Sequence, residues 1–219
     1  MNFTQALKSL TKFLSIILIV VLFAGCESEP INTHQDTQSG NLEFLSFEET
    51  QEETNFVKIE MMDGGIMIAE LYPSVAPITV ANFKKLVSQG FYNGLIFHRV
   101  IRDFVIQTGD PTGLGSGGSK ETIKGEFGIN GFTNTLSHQR GVLSMARLSN
   151  DPDSASSQFF ICHKDCSPSL DGKYASFGKV IAGEDVLDKI ATTKTNSSDH
   201  PVEDQQISSI KFVNVIAKN

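Results

Sequence analysis

Residues 95–110 constrain the fold of this chain more than any other stretch. Their apolar residues are mostly β-branched or aromatic, which is typical of buried strands, and a polar pair at 102–103 divides them in two. Three strongly hydrogen-bonding side chains interrupt this apolar pattern, namely His98, Arg99 and Gln107. Because arginine is rarely buried unless something requires it there, the stretch predicts two paired strands that also carry the chemistry of the protein.

The chain from residue 55 onwards predicts a mainly β domain. Two apolar segments flank Asp63-Gly64-Gly65, which indicates a hairpin because glycine readily adopts the positive φ of a tight turn. Further strands are predicted at residues 141–146, 157–161, 175–180 and 205–216, and helices at residues 80–89, capped by Thr79, and 184–191. Many short strands and two well-separated helices predict a closed β-barrel with helices over its ends.

The N-terminus has the layout of an export signal. Two lysines precede an apolar run at residues 13–23, which is far shorter than the roughly 20 residues of a membrane-spanning helix. Residues 22–26, LFAGC, resemble a bacterial lipoprotein box, in which the cysteine becomes the acylated N-terminus. The resemblance implies a lipoprotein signal peptide at residues 1–25 and lipidation of Cys26, hence an extracytoplasmic protein anchored to a bacterial membrane. An ordinary secretory signal with an incidental cysteine is the alternative.

A flexible acidic stalk is predicted at residues 26–54. Its part after Cys26 carries eight Asp and Glu residues and no Lys or Arg, so the formal net charge of −7 arises largely there. Such a segment buries too little apolar surface to offset its ordering entropy. Four apolar side chains interrupt it and dock either on the domain or on a lipid surface: Leu42, Phe44, Leu45 and Phe47. The nearly neutral remainder presents no basic face, so a nucleic-acid partner is not predicted.

Other kinds of site find little support. Residues 113–118 match G-x-G-x-x-G, but no helix plausibly follows, so a nucleotide site is not predicted. No G-x-S-x-G occurs, and Ser137 beside His138 is sequence adjacency rather than an activated pair. Cys162 and Cys166 lack further ligands at useful spacing, so no metal site is predicted. A buried thiol is favoured for Cys162, and a disulfide with Cys166 is the alternative.

Several separate motifs, in unbroken order, resemble those of cyclophilins. They are FHRVI at residues 97–101, FVIQTGD at 104–110, GVLSMA at 141–146, SQFFI at 157–161 and LDG at 170–172 with FGK at 177–179. Cyclophilins are peptidyl-prolyl cis-trans isomerases built on an eight-stranded antiparallel barrel capped by two helices. The resemblance therefore implies that residues 55–219 form a cyclophilin-like isomerase domain that needs no cofactor.

The resemblance also implies roles for individual residues. Arg99 is the catalytic hydrogen-bond donor, Gln107 holds it, and Phe104 belongs to the same catalytic group. The residues implied to bind substrate are His98, Val105, Ala146, Arg147, Gln158, Phe160, Leu170 and Tyr174. Arg147 is expected to act through its backbone, and His98 to form the edge of the groove. Two positions depart from the common pattern, with Val105 where many members have Met and Tyr174 where many have His.

These features predict a lipid-anchored isomerase that accelerates X-Pro rotation in unfolded or newly exported polypeptides. The alternative is a proline-directed chaperone or binding module that uses the same groove with little catalysis. A surface adhesin is a third interpretation, which rests only on the predicted anchor and stalk. The chain has no Trp, so the family's cyclosporin-contacting tryptophan is absent and weak or no cyclosporin binding is expected.

Overall fold

The structure is a computed structural model, and it describes residues 45–217. The predictions for residues 1–25, for Cys26 and for most of the stalk lie outside this range. Nine strands and three α-helices lie within it: β1 (Leu45–Glu49), β2 (Phe56–Met61), β3 (Ile66–Leu71), α1 (Pro77–Ser88), β4 (Arg99–Ile101), β5 (Val105–Thr108), β6 (Val142–Met145), β7 (Phe159–Cys162), α2 (Ser167–Leu170), β8 (Ser176–Ala182), α3 (Glu184–Ala191) and β9 (Ile207–Ala217).

The strands form one antiparallel sheet in the order β1-β9-β2-β3-β8-β6-β7-β5-β4. The mainly β prediction is confirmed. The predicted closed eight-stranded barrel is not confirmed, because the described residues form nine strands and contain no ladder between the end strands β1 and β4. Before β4, a single bridge between Ile96 and Gln206 links the chain to the segment that precedes β9.

The ninth strand comes from the segment that the sequence assigns to the stalk. Residues 45–49 form β1, which pairs with β9 and sets Phe47 opposite Val215. The prediction of a flexible stalk up to residue 54 is therefore wrong for these residues. Leu45 and Phe47 are half-buried in this strand, so they dock on the domain, whereas Leu42 and Phe44 lie outside the described residues. The alternation of apolar and polar residues in this segment favours strand pairing, and this effect outweighs the tendency of its acidic residues to keep the chain flexible.

The helices differ from prediction in three respects, because α2 was not predicted, α1 ends at Ser88 rather than at residue 89, and its N-terminus was misplaced. α3 has the predicted bounds, but α1 begins at Pro77 and Thr79 is not its cap. The carboxylate of Glu126 instead accepts hydrogen bonds from the backbone N–H of Ile78 at 3.0 Å and of Thr79 at 2.8 Å. It also accepts one from the Thr79 hydroxyl at 2.8 Å. A buried carboxylate from a distant loop thus satisfies the free amides of the first turn.

Alternation along β7 separates two apolar clusters. Phe159 is fully buried in the main core, where its ring meets Phe83 edge-on at 5.3 Å between centroids. Phe160 faces the other way, into a smaller cluster that also contains Val105 and Leu170. Because successive strand residues point to opposite faces, β7 builds the core with one phenylalanine and a surface cluster with the next.

The turn between β4 and β5 presents Phe104 to the smaller cluster. Asp103 adopts φ +61°, a conformation that aspartate tolerates better than most residues. Its backbone N–H donates to His163 Nδ1 at 2.9 Å, and the carbonyl of Phe104 accepts from the His163 N–H at 2.8 Å. This turn therefore fixes Phe104 against the chain that follows β7.

Candidate active site

Arg99 and Gln107 lie directly opposite each other on β4 and β5. Arg99 Nη1 donates to Gln107 Oε1 at 3.3 Å, and Gln107 Nε2 donates to Gln158 Oε1 at 2.8 Å. Gln158 Nε2 in turn donates to the carbonyl of Gly117 at 2.7 Å. The Arg99 side chain is 41% exposed, and its guanidinium is thus held at Nη1 by a row of amides while N–H groups at its open edge can bind a ligand.

An apolar cavity of about 220 Å³ opens beside this arginine. Val105, Phe160 and Leu170 are nearly buried in its wall, and Phe104 is half-buried. The cavity brings together nine of the eleven residues that the sequence assigns to catalysis and substrate binding: Arg99, Phe104, Val105, Gln107, Ala146, Arg147, Phe160, Leu170 and Tyr174. A small apolar ring fits such a space, with the guanidinium of Arg99 beside it.

A second cavity, of about 320 Å³, adjoins the first. The two share Gln107, Ala146 and Arg147, and Gln158 lines the second one, so together they form a continuous groove. The side chain of Arg147 is engaged within the protein, because its guanidinium lies 4.8 Å above the ring of Tyr174. This packing is consistent with the expectation that Arg147 meets a substrate through its backbone.

His98 is the one predicted site residue that lines neither cavity. Its side chain is 5% exposed and lies behind Gly115, and neither ring nitrogen has a hydrogen-bond partner among the described residues. Burial lowers its pKa, which favours the neutral ring. The structure therefore sets His98 behind the groove rather than on its surface.

A hydrogen-bond chain that the sequence does not indicate lies behind Phe160, with His138 and Ser144 buried and Asp171 partly exposed. His138 Nδ1 meets Asp171 Oδ1 at 2.7 Å, and His138 Nε2 meets Ser144 Oγ at 2.9 Å. The imidazole stacks on the Phe160 ring at 6.1 Å between centroids. Ser137 takes no part in the histidine contact and donates to Asp171 instead, at 2.7 Å.

The pKa values within this chain follow from burial and hydrogen bonding. Burial lowers the pKa of His138 and outweighs the opposing effect of Asp171. Burial opposes ionisation of Asp171, but hydrogen bonds from His138 and Ser137 outweigh it and lower its pKa. Ser144 is fully buried and lines neither cavity of the groove, so this chain supports Phe160 and is not a nucleophilic site.

Cys162 and Cys166 are both free and buried, as the favoured interpretation of Cys162 expects. They belong to the cluster beneath the groove, and Cys166 Sγ donates to the carbonyl of Phe104 at 3.2 Å. Burial raises the pKa of both thiols, so they remain protonated at neutral pH. They act here as small apolar side chains under the pocket.

Asp199 is a further residue at this site that sequence reasoning missed. Its Oδ2 lies 3.9 Å from Arg99 Nε, whereas Gln107 binds Nη1. The two residues are 100 positions apart and no motif joins them, so only the folded chain reveals the pair.

A pocket for a small apolar ring, with an arginine held at its mouth, defines a prolyl isomerase of the cyclophilin class. The chain belongs to this family, because the family model described as "Cyclophilin type peptidyl-prolyl cis-trans isomerase/CLD" matches residues 56–212. It is 43% identical over 150 residues to peptidyl-prolyl cis-trans isomerase-like 1 of Emericella nidulans, covering 68% of this chain and 90% of the relative. It is 45% identical over 152 residues to peptidyl-prolyl cis-trans isomerase ppi1 of Schizosaccharomyces pombe, covering 69% and 94%.

Solved structures agree with this assignment. A cyclophilin-type isomerase of Cryptosporidium parvum, crystallised in the presence of the dipeptide Ala-Pro, superposes with a TM-score of 0.65 at 34% identity. The superposition covers 71% of this chain and 97% of that one. The cyclophilin-like fold and the isomerase class of the enzyme are thereby established.

The comparisons contradict the predicted location. An extracytoplasmic protein anchored by lipid to a bacterial membrane was expected, but similar curated proteins are isomerases of fungi, a nematode and mammals. The prediction of that location is therefore wrong. As a separate finding, no helix within residues 45–217 combines the length and apolar character that a membrane crossing requires.

Proposed function

We propose that the groove between Arg99 and Phe160 accelerates rotation about X-Pro bonds in polypeptide segments. The observation that carries this proposal is the apolar cavity of about 220 Å³ with Arg99 held at its mouth by Gln107. In this assignment the proline ring occupies the space between Phe104, Val105 and Phe160. The neighbouring residues extend along the adjoining groove past Ala146 and Gln158.

The chemistry requires no bond to be made or cut. The barrier to rotation about the peptide bond is about 18–20 kcal/mol, because amide resonance must be disrupted. As the amide twists, the proline nitrogen gains a lone pair that accepts a hydrogen bond, whereas the planar ground state offers none. A donor on Arg99 aimed at that nitrogen therefore binds the transition state more tightly than the substrate.

The free energies of these interactions are large enough for Arg99 and the pocket to accelerate the rotation. Uncatalysed isomerisation takes tens of seconds, and shortening it to milliseconds requires about 5.5 kcal/mol. A charge-assisted hydrogen bond contributes roughly 1.5–3 kcal/mol in a protein. The remainder is assigned to the apolar pocket, which excludes water from the twisting amide and orients the proline ring.

The proposed substrates are accessible proline-containing chains. Support comes from the similar Cryptosporidium parvum enzyme, whose structure was determined in the presence of Ala-Pro. The two joined cavities favour an extended peptide over a compact ligand, because a groove open along its length accepts residues on both sides of the proline. Three polar or small residues line both cavities, namely Gln107, Ala146 and Arg147, and Gln158 continues the second one.

A protease-coupled assay of a short X-Pro peptide tests the proposal. The Arg99→Ala variant is expected to lose about 100-fold or more in kcat/KM, and Arg99→Lys to remain well below the native enzyme because an ammonium cannot reproduce the held guanidinium. Arg102→Ala is the matched control, since Arg102 is exposed on the neighbouring turn. Native-like catalysis by Arg99→Ala would overturn the assignment.

The same variants separate catalysis from binding. A proline-directed chaperone with incidental catalysis suppresses aggregation of an unfolded protein equally well with Arg99 or Ala at this position. An isomerase whose function is catalytic loses its acceleration of a proline-limited refolding reaction in the Arg99→Ala variant. We expect the second result.

The fate of the N-terminus is a separate proposal. Removal of residues 1–25 and acylation of Cys26 rest on the LFAGC sequence alone, and both lie outside the described residues. This proposal concerns a modification of the chain and not its cellular location. Mass spectrometry of the mature protein tests it, and an unmodified Cys26 thiol is the contrary result.

A further inference from the structure

The loop of residues 195–201 covers the outer edge of β4. β4 is an end strand, paired with β5 on one side only, and its other edge would otherwise leave backbone groups open. Two hydrogen bonds from the loop bracket Arg99. The N–H of Val100 donates to the carbonyl of Asp199 at 2.8 Å, and His200 Nδ1 lies 2.8 Å from the carbonyl of His98.

The loop is internally ordered, so it provides a fixed support. Asn196 Oδ1 accepts from the N–H of Ser198 at 2.8 Å and of His200 at 3.2 Å, and the Asn196 N–H donates to the carbonyl of His200 at 2.9 Å. A bridge between Thr195 and Pro201 closes its base. Asp199 sits at φ +61°, where aspartate, asparagine and glycine are the residues best tolerated.

We propose that Asp199 is a positioning residue for Arg99. Its carboxylate lies 3.9 Å from Nε, while Gln107 accepts a hydrogen bond from Nη1 at 3.3 Å. Two groups on different elements thus act on different nitrogens of the guanidinium, which restricts its orientation beside the pocket that Arg99 lines. This inference rests on the proposed function, because it assigns Asp199 an effect that passes through Arg99.

The partial exposure of the pair sets the size of the effect. The two side chains are 41% and 47% exposed, so their attraction is screened and contributes little to global stability. Catalysis depends more strongly on the orientation of the Arg99 guanidinium, because only a well-aimed donor can hydrogen-bond to the twisted amide nitrogen. We therefore expect kcat to fall by about three- to tenfold without Asp199, with KM changed by less than about twofold.

The test compares three variants of the full chain in the X-Pro assay. Asp199→Asn removes the charge and keeps the tolerance for positive φ, and Asp199→Gly removes the side chain without straining the loop. Asp204→Asn is the matched control, because Asp204 is an exposed acid in the same connection to β9. The two Asp199 variants are expected to lower kcat and leave KM nearly constant, whereas Asp204→Asn behaves like the native protein.

A spectroscopic readout distinguishes positioning from a merely structural role. In 1H–15N spectra the Nε–H signal of Arg99 is expected to be sharp in the native protein and broadened in Asp199→Asn. The Val100 amide signal should persist, because its acceptor is the backbone carbonyl of residue 199. Unchanged kcat in both Asp199 variants, or an unchanged Nε–H signal, would overturn the inference.

These experiments distinguish failure of the inference about Asp199 from failure of the proposed function. If Arg99→Ala keeps native activity, the role of Arg99 fails and Asp199 has nothing to position. If Arg99→Ala is inactive while both Asp199 variants keep native kcat, only the inference about Asp199 fails. A double variant that combines Asp199→Asn with Arg99→Lys completes the design. If the two residues act together, the losses of kcat in the single variants do not add up to the loss in the double variant.

Discussion

Gln107 joins two functions through one side-chain amide. Its oxygen accepts from Arg99 and its nitrogen donates to Gln158, so the catalytic donor is connected to the wall of the adjoining groove. Neither contact can be made by an aliphatic residue, and glutamate can only accept. The residue therefore orients Arg99 and Gln158 together, which no single charged substitute does.

Replacement of Gln107 is expected to impair catalysis more than folding. In Gln107→Ala we expect kcat/KM to fall by about tenfold, equivalent to about 1.4 kcal/mol, because a hydrogen bond to a charged donor is lost. Urea unfolding should shift little, because Gln107 is only half-buried. The exposed Gln139→Ala is the control. Equal losses of activity and stability in Gln107→Ala would contradict this role.

The absence of tryptophan makes a second prediction at the residue scale. A buried Trp at a binding site typically accounts for about 2–4 kcal/mol of affinity, so its absence should weaken cyclosporin binding by roughly 30- to 1,000-fold. Inhibition of the X-Pro assay by cyclosporin should thus require micromolar concentrations or more. Nanomolar inhibition would show that other residues of the groove replace the missing contact.

At the scale of elements, α1 depends on a loop for its N-terminus. Glu126 is 1% exposed and accepts three hydrogen bonds from the first turn of the helix, which has no side-chain cap of its own. Glu126→Gln is expected to lower the free energy of unfolding by about 1–3 kcal/mol, because the charge at the helix N-terminus is lost and one acceptor oxygen becomes a donor.

Urea denaturation measures this effect. Glu121→Gln is the matched control, because Glu121 lies in the same loop region with its side chain 73% exposed. We expect the control to change the free energy of unfolding by less than about 0.5 kcal/mol. An equal effect of both substitutions would mean that Glu126 does not support the helix.

The elements differ in how far local sequence determines them. β4, β5 and α3 were predicted because their apolar periodicity and turn residues lie within a few positions of each other. The start of α1 was misplaced because its cap is 47–48 positions away, at Glu126. β1 was missed because its pairing with β9 joins opposite ends of the domain, and acidic composition suggested a stalk instead.

The residues of the candidate site also fall into two groups, those that local sequence predicts and those that it does not. The pocket residues were predicted through a family resemblance, because most of them lie in short contiguous motifs, including those of β4, β5 and β7. Asp199 and the His138–Asp171–Ser144 chain were not predicted, since each joins segments that only tertiary packing brings together. Side-chain geometry of this kind depends on the whole fold and leaves no periodic signal in the sequence.

At the scale of the whole molecule, the sheet supports catalysis from both faces. One face of β7 packs Phe159 into the main core, and the other sets Phe160 against the pocket. Behind Phe160, a neutral imidazole connects β6 to the chain after α2 through Ser144 and Asp171. Since the His138 side chain is buried, the protonation state of its imidazole matters for the stability of the whole domain.

Stability should therefore decrease in mildly acidic solution. Burial lowers the folded-state pKa of His138 and of His98 below 6.5, whereas both protonate near 6.5 when the chain unfolds. Their contribution is fully present above pH 6.5 and is lost as the pH falls toward the folded-state pKa values. Between pH 7.5 and 5.5, each histidine should lower the free energy of unfolding by up to about 1.4 kcal/mol. Urea titrations of the native chain and of His138→Asn measure this, and an unchanged pH dependence in the variant would exclude His138 as a source.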